Sequence, residues 1–181
     1  MNRRKLLAGF AAGTALFALP AHAAKRRKPY EGAEYIYYET YEAPGTILVA
    51  TDRRSLYFIL GDDEAICYGV AVGKEGFSWA GIAKIGRKVE WPSWTPPKDM
   101  IKRRPELAKF ANGMPGGPDN PLGARALYLY EGGRDTLFRI HGTNEPESIG
   151  TAASSGCIRM LNEEVVELYD NVHIGTKVIV V

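Results

Sequence analysis

HGTNEPESIGTAASSGCIRM, residues 141–160, holds His141, one of three histidines in the chain, and Cys157, one of two cysteines. The stretch has little apolar content until its end, and residues 162–181 after it read as the last helix and strand of a domain. Taken alone it leaves three readings open: a catalytic couple, a metal site, or a loop that merely holds both residues. A thiol attacks only as thiolate, and a nearby imidazole or local dipoles activate it. Gly156 removes a side chain next to Cys157, which lets a substrate backbone approach and permits a positive φ. The backbone N–H groups of so tight a segment can then face a developing oxyanion. If the run after Cys157 is extended, Cys157 and Arg159 project to the same side, where a guanidinium can grip a carboxylate. His141 ends a strand, and the 16 positions separating it from Cys157 leave ample chain to bring the two together. A metal site needs three or four ligands, and this pair offers two.

Outward from that stretch, strand patterns dominate. Residues 126–130 and 136–141 read as two strands, with Leu137, Arg139 and His141 sharing one face of the second. After Arg159, Asn162 suits a helix N-cap and Glu163 and Glu164 its first turn. Val165, Leu168, Tyr169 and Val172 line one helical face, Gly175 ends it, and residues 177–181 form a terminal strand. Upstream, residues 35–39, 46–50, 56–60 and 66–72 carry strand signals, the middle two joined as a hairpin. Between about residues 73 and 123 the regular signals fade. Trp91 and Trp94 stand in a proline-broken run, residues 98–112 can hold a short helix, and residues 113–123 are a Gly/Pro-rich loop of the kind that often carries function. Trp91 and Trp94 fit a loop anchor and a groove wall equally. The fold class is mainly β with one or two helices.

At 181 residues, 45% hydrophobic and 24% charged, the chain is one ordinary globular domain with something in front of it. Arg3, Arg4 and Lys5 precede an apolar run over residues 6–19, and Ala21-His22-Ala23 reads as a cleavage site, so residues 1–23 are expected to be a secretory signal. Residues 2–7 also resemble a twin-arginine export signal; general secretion and a retained anchor stay open beside it. Cleavage removes three positive charges from a formal net charge of +2, leaving −1, so nothing points to nucleic acid, and no stable membrane span is expected. Residues 24–44 then form a basic tail, Lys25-Arg26-Arg27-Lys28, and an entry strand; residues 45–181 form the domain. Cys67 shares a small-residue face with Ala65, Gly69 and Ala71 and reads as packing rather than as the disulfide partner of Cys157. His173 reads as a surface or capping residue and Arg125 as a structural charge.

His141-Gly142-Thr143-Asn144, followed by Ser154-Ser155-Gly156-Cys157-Ile158-Arg159, resembles the signature of the L,D-transpeptidase catalytic domain (the YkuD type, including the ErfK/YbiS branch). Val70-Ala71-Val72-Gly73-Lys74, the Trp/Pro segment and residues 120–129 are similar to the same family, so the resemblance covers about residues 45–181. It implies a β-sandwich with Cys157 as nucleophile and His141 as general base and later acid. The backbone of Gly142 would orient His141, and the amides of Gly156 and Cys157 would form part of an oxyanion hole. Arg159 would contact substrate. Thr143, Asn144 and Ser154 fit substrate contact and loop ordering equally. Many members carry histidine where this chain has Ser155, which can hydrogen-bond but not titrate near neutral pH, so His141 is left as the one base of the motif. Ser78-Trp79-Ala80-Gly81 departs from a Thr-Pro-x-Gly run common in relatives and bears on loop shape.

The resemblance further implies an exported periplasmic or envelope enzyme that needs no cofactor and no metal and acts on diaminopimelate-containing peptidoglycan stem peptides. An acceptor amine from another stem, an envelope protein or a D-amino acid would receive the acyl group; water would make the enzyme an L,D-carboxypeptidase. A Cys/His peptidoglycan hydrolase and a non-catalytic envelope-binding module are the alternative readings.

Overall fold

The computed structural model describes residues 30–74, 79–152, 154 and 156–181. The expected signal peptide with His22, the basic run 25–28, Ser78 and Ser155 lie outside the described residues. Among the described residues no helix is long and apolar enough to cross a membrane.

β1 (Glu34–Tyr37), β2 (Ile47–Ala50), β3 (Ser55–Gly61) and β4 (Glu64–Gly69) occupy the runs rich in β-branched and aromatic residues. β2 and β3 form the expected hairpin, and β3 meets β4 across Asp62 and Asp63, whose φ values of 51° and 59° give a turn matched to the right-handed strand twist. Alternation along this segment sorts its side chains onto two faces. Ile66, Tyr68, Val70 and Val72 enter the main core, while Cys67 packs with Ala65 against a smaller cluster around Tyr57 and Ile59.

β5 (Gly81–Glu90), β6 (Arg125–Glu131), β7 (Arg134–His141), β8 (Ile158–Arg159) and β9 (Lys177–Val180) complete a sheet of order β1-β4-β3-β2-β9-β5-β6-β7-β8. β5 lies where the sequence signals fade. Ala83 and Ile85 are buried in alternation, but the register against β6 shifts between Ile85 and Arg87. Gly86 sits at that shift because any side chain there would collide with the ring of Tyr130. A bulge of this kind resets the two-residue period and erases the pattern that announces a strand.

Ala71, continuing the path of β4, exchanges both backbone hydrogen bonds with Arg159 of β8, at 2.9 and 2.8 Å. The sheet thereby closes on itself around one core to which β2 through β9 all contribute, together with Val165, Leu168 and Val172 of a helix over Asn162–Asn171. This is the mainly β architecture that the sequence leads one to expect. A shorter helix, α1 (Lys98–Arg103), and a 3-10 segment, Pro105–Phe110, lie in the excursion between β5 and β6; the long helix is α2. Asn162 opens α2 but does not cap it. Leu161 stands at the cap, and the Asn162 amide turns back to two loops instead. His173 is exposed beyond α2, and Arg125 pairs with Glu90 at 3.3 Å over the Tyr169 ring, as a structural charge.

Candidate active site

β7 and β8 run parallel, with Ile140 opposite Ile158 and His141 opposite Arg159. Ile140 and Ile158 are 0% and 2% exposed, so the core takes that face. Side chains alternate, so Arg139, His141, Cys157 and Arg159 share the other. One step back along both strands, Arg139 stands abreast of Cys157, and His141 lies two residues further on. Neighbouring strands are about 4.8 Å apart and a two-residue step is about 6.6 Å, so thiol, imidazole and two guanidinium groups crowd one small area.

His141 is 4% exposed, and its Nδ1 lies 2.6 Å from the carbonyl oxygen of Gly142. A carbonyl only accepts, so Nδ1 carries the proton and Nε2 is left as a bare acceptor. Burial lowers the His141 pKa to about 4; the Gly142 carbonyl opposes this, and the Arg159 and Arg139 cations add to the lowering. Burial pushes the Cys157 thiol up, against the opposing pull of Arg139 and Arg159. The thiol donates to Leu137 O at 3.9 Å. Burial thus favours the neutral form of both the thiol and the imidazole, and the hydrogen bond of the thiol runs to Leu137 O.

The segment before the thiol is braced from within. Gly156 takes φ 122°, a conformation that favours glycine. Ser154, 3% exposed, accepts from the Gly156 amide at 3.1 Å and donates to the Cys157 carbonyl at 2.5 Å. Thr143 Oγ1 accepts from Glu145 N at 3.0 Å, and Asn144 Nδ2 donates to Asp119 O at 3.0 Å. Thr143, Asn144 and Ser154 thus all hold loop backbone. Arg159 is bound by Glu145 at 2.8 Å. Trp94 exchanges backbone bonds with Met114 at 2.9 and 2.7 Å, anchoring its loop, while Trp91 stays 46% exposed.

Several neighbours escape a reading by sequence. Arg139 makes a two-bond pair with Asp135 (3.1 and 3.0 Å) and lies 4.4 Å over the Tyr128 ring. Its position two residues before His141 on one strand face is the signal that could have found it. Leu137 has a φ of 65°, which marks an irregular step in β7, and it is 74% exposed. Glu145 reads as part of a polar spacer, and nothing local marks it as the partner of Arg159. Among the described residues, no group of three His, Cys, Asp or Glu side chains is placed to hold a metal ion.

Residues 44–180 match the YkuD family, the L,D-transpeptidase catalytic domain. The chain belongs to that family. As an L,D-transpeptidase domain it is 34% identical over 142 residues to ErfK/SrfK of Escherichia coli strain K12, named a probable L,D-transpeptidase. That match takes in 74% of this chain and 43% of the relative, so the chain spans less than half the length of such relatives. A solved structure from Brucella melitensis, named a probable carnitine operon oxidoreductase, is 49% identical with a TM-score of 0.56, covering 82% of this chain and 92% of that one. An L,D-transpeptidase from Mycobacterium smegmatis shares the fold at 19% identity, with a TM-score of 0.55 over 75% of this chain and 58% of that one.

Proposed function

We propose that this L,D-transpeptidase domain is an acyltransferase of the bacterial envelope that acts on peptidoglycan stem peptides through Cys157. The observation that carries this reading is the parallel β7–β8 register, which sets Cys157, His141 and Arg159 on one face away from the core. His141 Nε2 takes the thiol proton as sulfur attacks the carbonyl joining diaminopimelate to the terminal D-alanine of a tetrapeptide stem. The tetrahedral intermediate collapses with cleavage of the C–N bond, and His141 returns the proton to the departing D-alanine amine. A thioester remains on Cys157. An acceptor amine then attacks it, giving its proton to His141, and the C–S bond breaks to restore the thiol. The acceptor is another stem, an envelope protein or a D-amino acid. The amides of Gly156 and Cys157 lie next to the reacting carbonyl, and Gly142 orients the base. The protein works in the periplasm, reached through the export signal at residues 1–23.

Incubating the mature protein with tetrapeptide muropeptides tests the reaction. Loss of D-alanine with a new cross-linked dimer supports transfer; trimming without any dimer in the presence of acceptor would instead make the enzyme a hydrolase or L,D-carboxypeptidase.

Arg159 gives a second prediction. Its guanidinium holds the Glu145 carboxylate at 2.8 Å, the kind of group that the substrate also offers. Arg159→Ala should raise the donor KM about tenfold or more, the scale of a lost charge-assisted hydrogen bond. Glu145→Gln should lower the same KM by releasing Arg159. Steady-state kinetics of both variants reads this out, and an unchanged KM in Arg159→Ala would remove Arg159 from substrate binding.

A further inference from the structure

The Asn162 side chain lies in a slot between two loops. Its Oδ1 accepts from Ala124 N at 3.0 Å and from Thr143 N at 3.1 Å, while its Nδ2 donates to Thr143 O at 2.8 Å. The slot is closed by glycine on both walls: a Cβ at either Gly123 or Gly142 would collide with Asn162 Oδ1. The contacts at Gly142 and Thr143 join α2 to the end of β7 that carries His141, and those at Gly123 and Ala124 join it to the start of β6.

Thr143 N–H and Gly142 C=O belong to one peptide group. That group is planar and trans, so its N–H and C=O point in opposite directions, and fixing one aims the other. Asn162 Oδ1 holds the N–H, and the C=O on the far side accepts from His141 Nδ1 at 2.6 Å. The accepted bond at one end also polarises the peptide and strengthens the carbonyl as acceptor at the other. We propose that Asn162 is a positioning residue for the catalytic histidine, acting through the Gly142–Thr143 peptide to hold His141 in the Nδ1–H tautomer with Nε2 left as a bare acceptor. The inference rests on His141 being the base of the proposed acyl transfer. It gives the Cys–His pair a third member at one peptide's remove, drawn from the first turn of α2.

The function demanded of Asn162 is acceptance from Thr143 N–H, so the replacements separate cleanly. Asn162→Leu, close in size and unable to accept, should slow single-turnover acylation of Cys157 about 10- to 100-fold, the scale seen when groups supporting a site histidine are removed. The donor KM should stay unchanged. Asn162→Asp, which still accepts from both amides, should recover most of that rate. In 15N-histidine NMR spectra recorded without substrate, wild type and Asn162→Asp should show His141 as the Nδ1–H tautomer, and Asn162→Leu should show Nε2–H or a mixture.

A folded Asn162→Leu protein with wild-type acylation and an unchanged tautomer would overturn the proposal. So would a wild-type His141 found as the Nε2–H tautomer, a result that needs no variant and decides the matter even if Asn162→Leu fails to fold. The tautomer is read without substrate, so failure of wild type to acylate would count against the proposed reaction and leave this test intact.

Discussion

Cys157→Ala is expected to give a folded protein that transfers no acyl group. The side chain is half-buried and outside both hydrophobic clusters, so its truncation leaves the core untouched. Thermal unfolding should shift by no more than the equivalent of about 1 kcal/mol, as for changes away from core packing. Loss of the nucleophile, in contrast, should lower turnover of tetrapeptide muropeptides by roughly five to six orders of magnitude, the scale found when a nucleophile of such a couple is removed. Cys157→Ser should be nearly as poor, because a hydroxyl next to a base as weak as His141 seldom becomes an attacking oxyanion. Product analysis by liquid chromatography checks both variants. Dimer formation by Cys157→Ala at the wild-type rate would place the chemistry elsewhere.

His141→Gln should cost about 10²- to 10⁴-fold in acylation rate, the contribution of a positioned general base. The pH behaviour distinguishes this loss from simple damage to the site. Because burial holds His141 at about 4, the imidazole is already neutral over the ordinary working range, and wild-type acylation should fall only as pH drops through about 4. That acid limb should vanish in His141→Gln. Folding stability follows the same group. The unfolded chain binds a proton near the usual 6.5 and the folded chain near 4, so between those values the unfolded state holds more protons. The stabilising contribution is complete above pH 6.5 and is lost as pH falls through 4, amounting to about 3 kcal/mol over the window. Urea unfolding of wild type and His141→Gln across pH 4–7 should show a shallower slope for the variant. Since burial also pushes the Cys157 thiol up, the free enzyme at neutral pH should show no thiolate absorbance removable by His141→Gln.

The parts of the site that sequence makes legible are those set by short-range geometry. His141 ends an alternating strand, and Cys157 and Arg159 alternate across Ile158, so their common face follows from the two-residue period alone. Alternation likewise separates Cys67 from Ile66 and Tyr68 in β4. What is lost depends on partners far along the chain or on interruptions of the period. β5 is hidden by the bulge at Gly86, and the positive φ of Leu137 interrupts the regular period of β7. Asn162 has the composition of a helix cap, and only the folded chain brings it to Ala124 and Thr143, 38 and 19 residues away. Glu145 reaches Arg159 at a sequence separation of 14, a pairing that no periodic signal announces.

Intact-protein mass spectrometry of the protein mixed with a tetrapeptide stem donor tests the covalent mechanism most directly. Wild type should gain the mass of the acyl tripeptide while one D-alanine is released, and peptide mapping should place the adduct on Cys157. Addition of an acceptor amine should discharge it into a cross-linked product. Absence of any adduct from a wild-type enzyme that turns the donor over, or an adduct that persists in Cys157→Ala, would contradict acyl transfer through this cysteine.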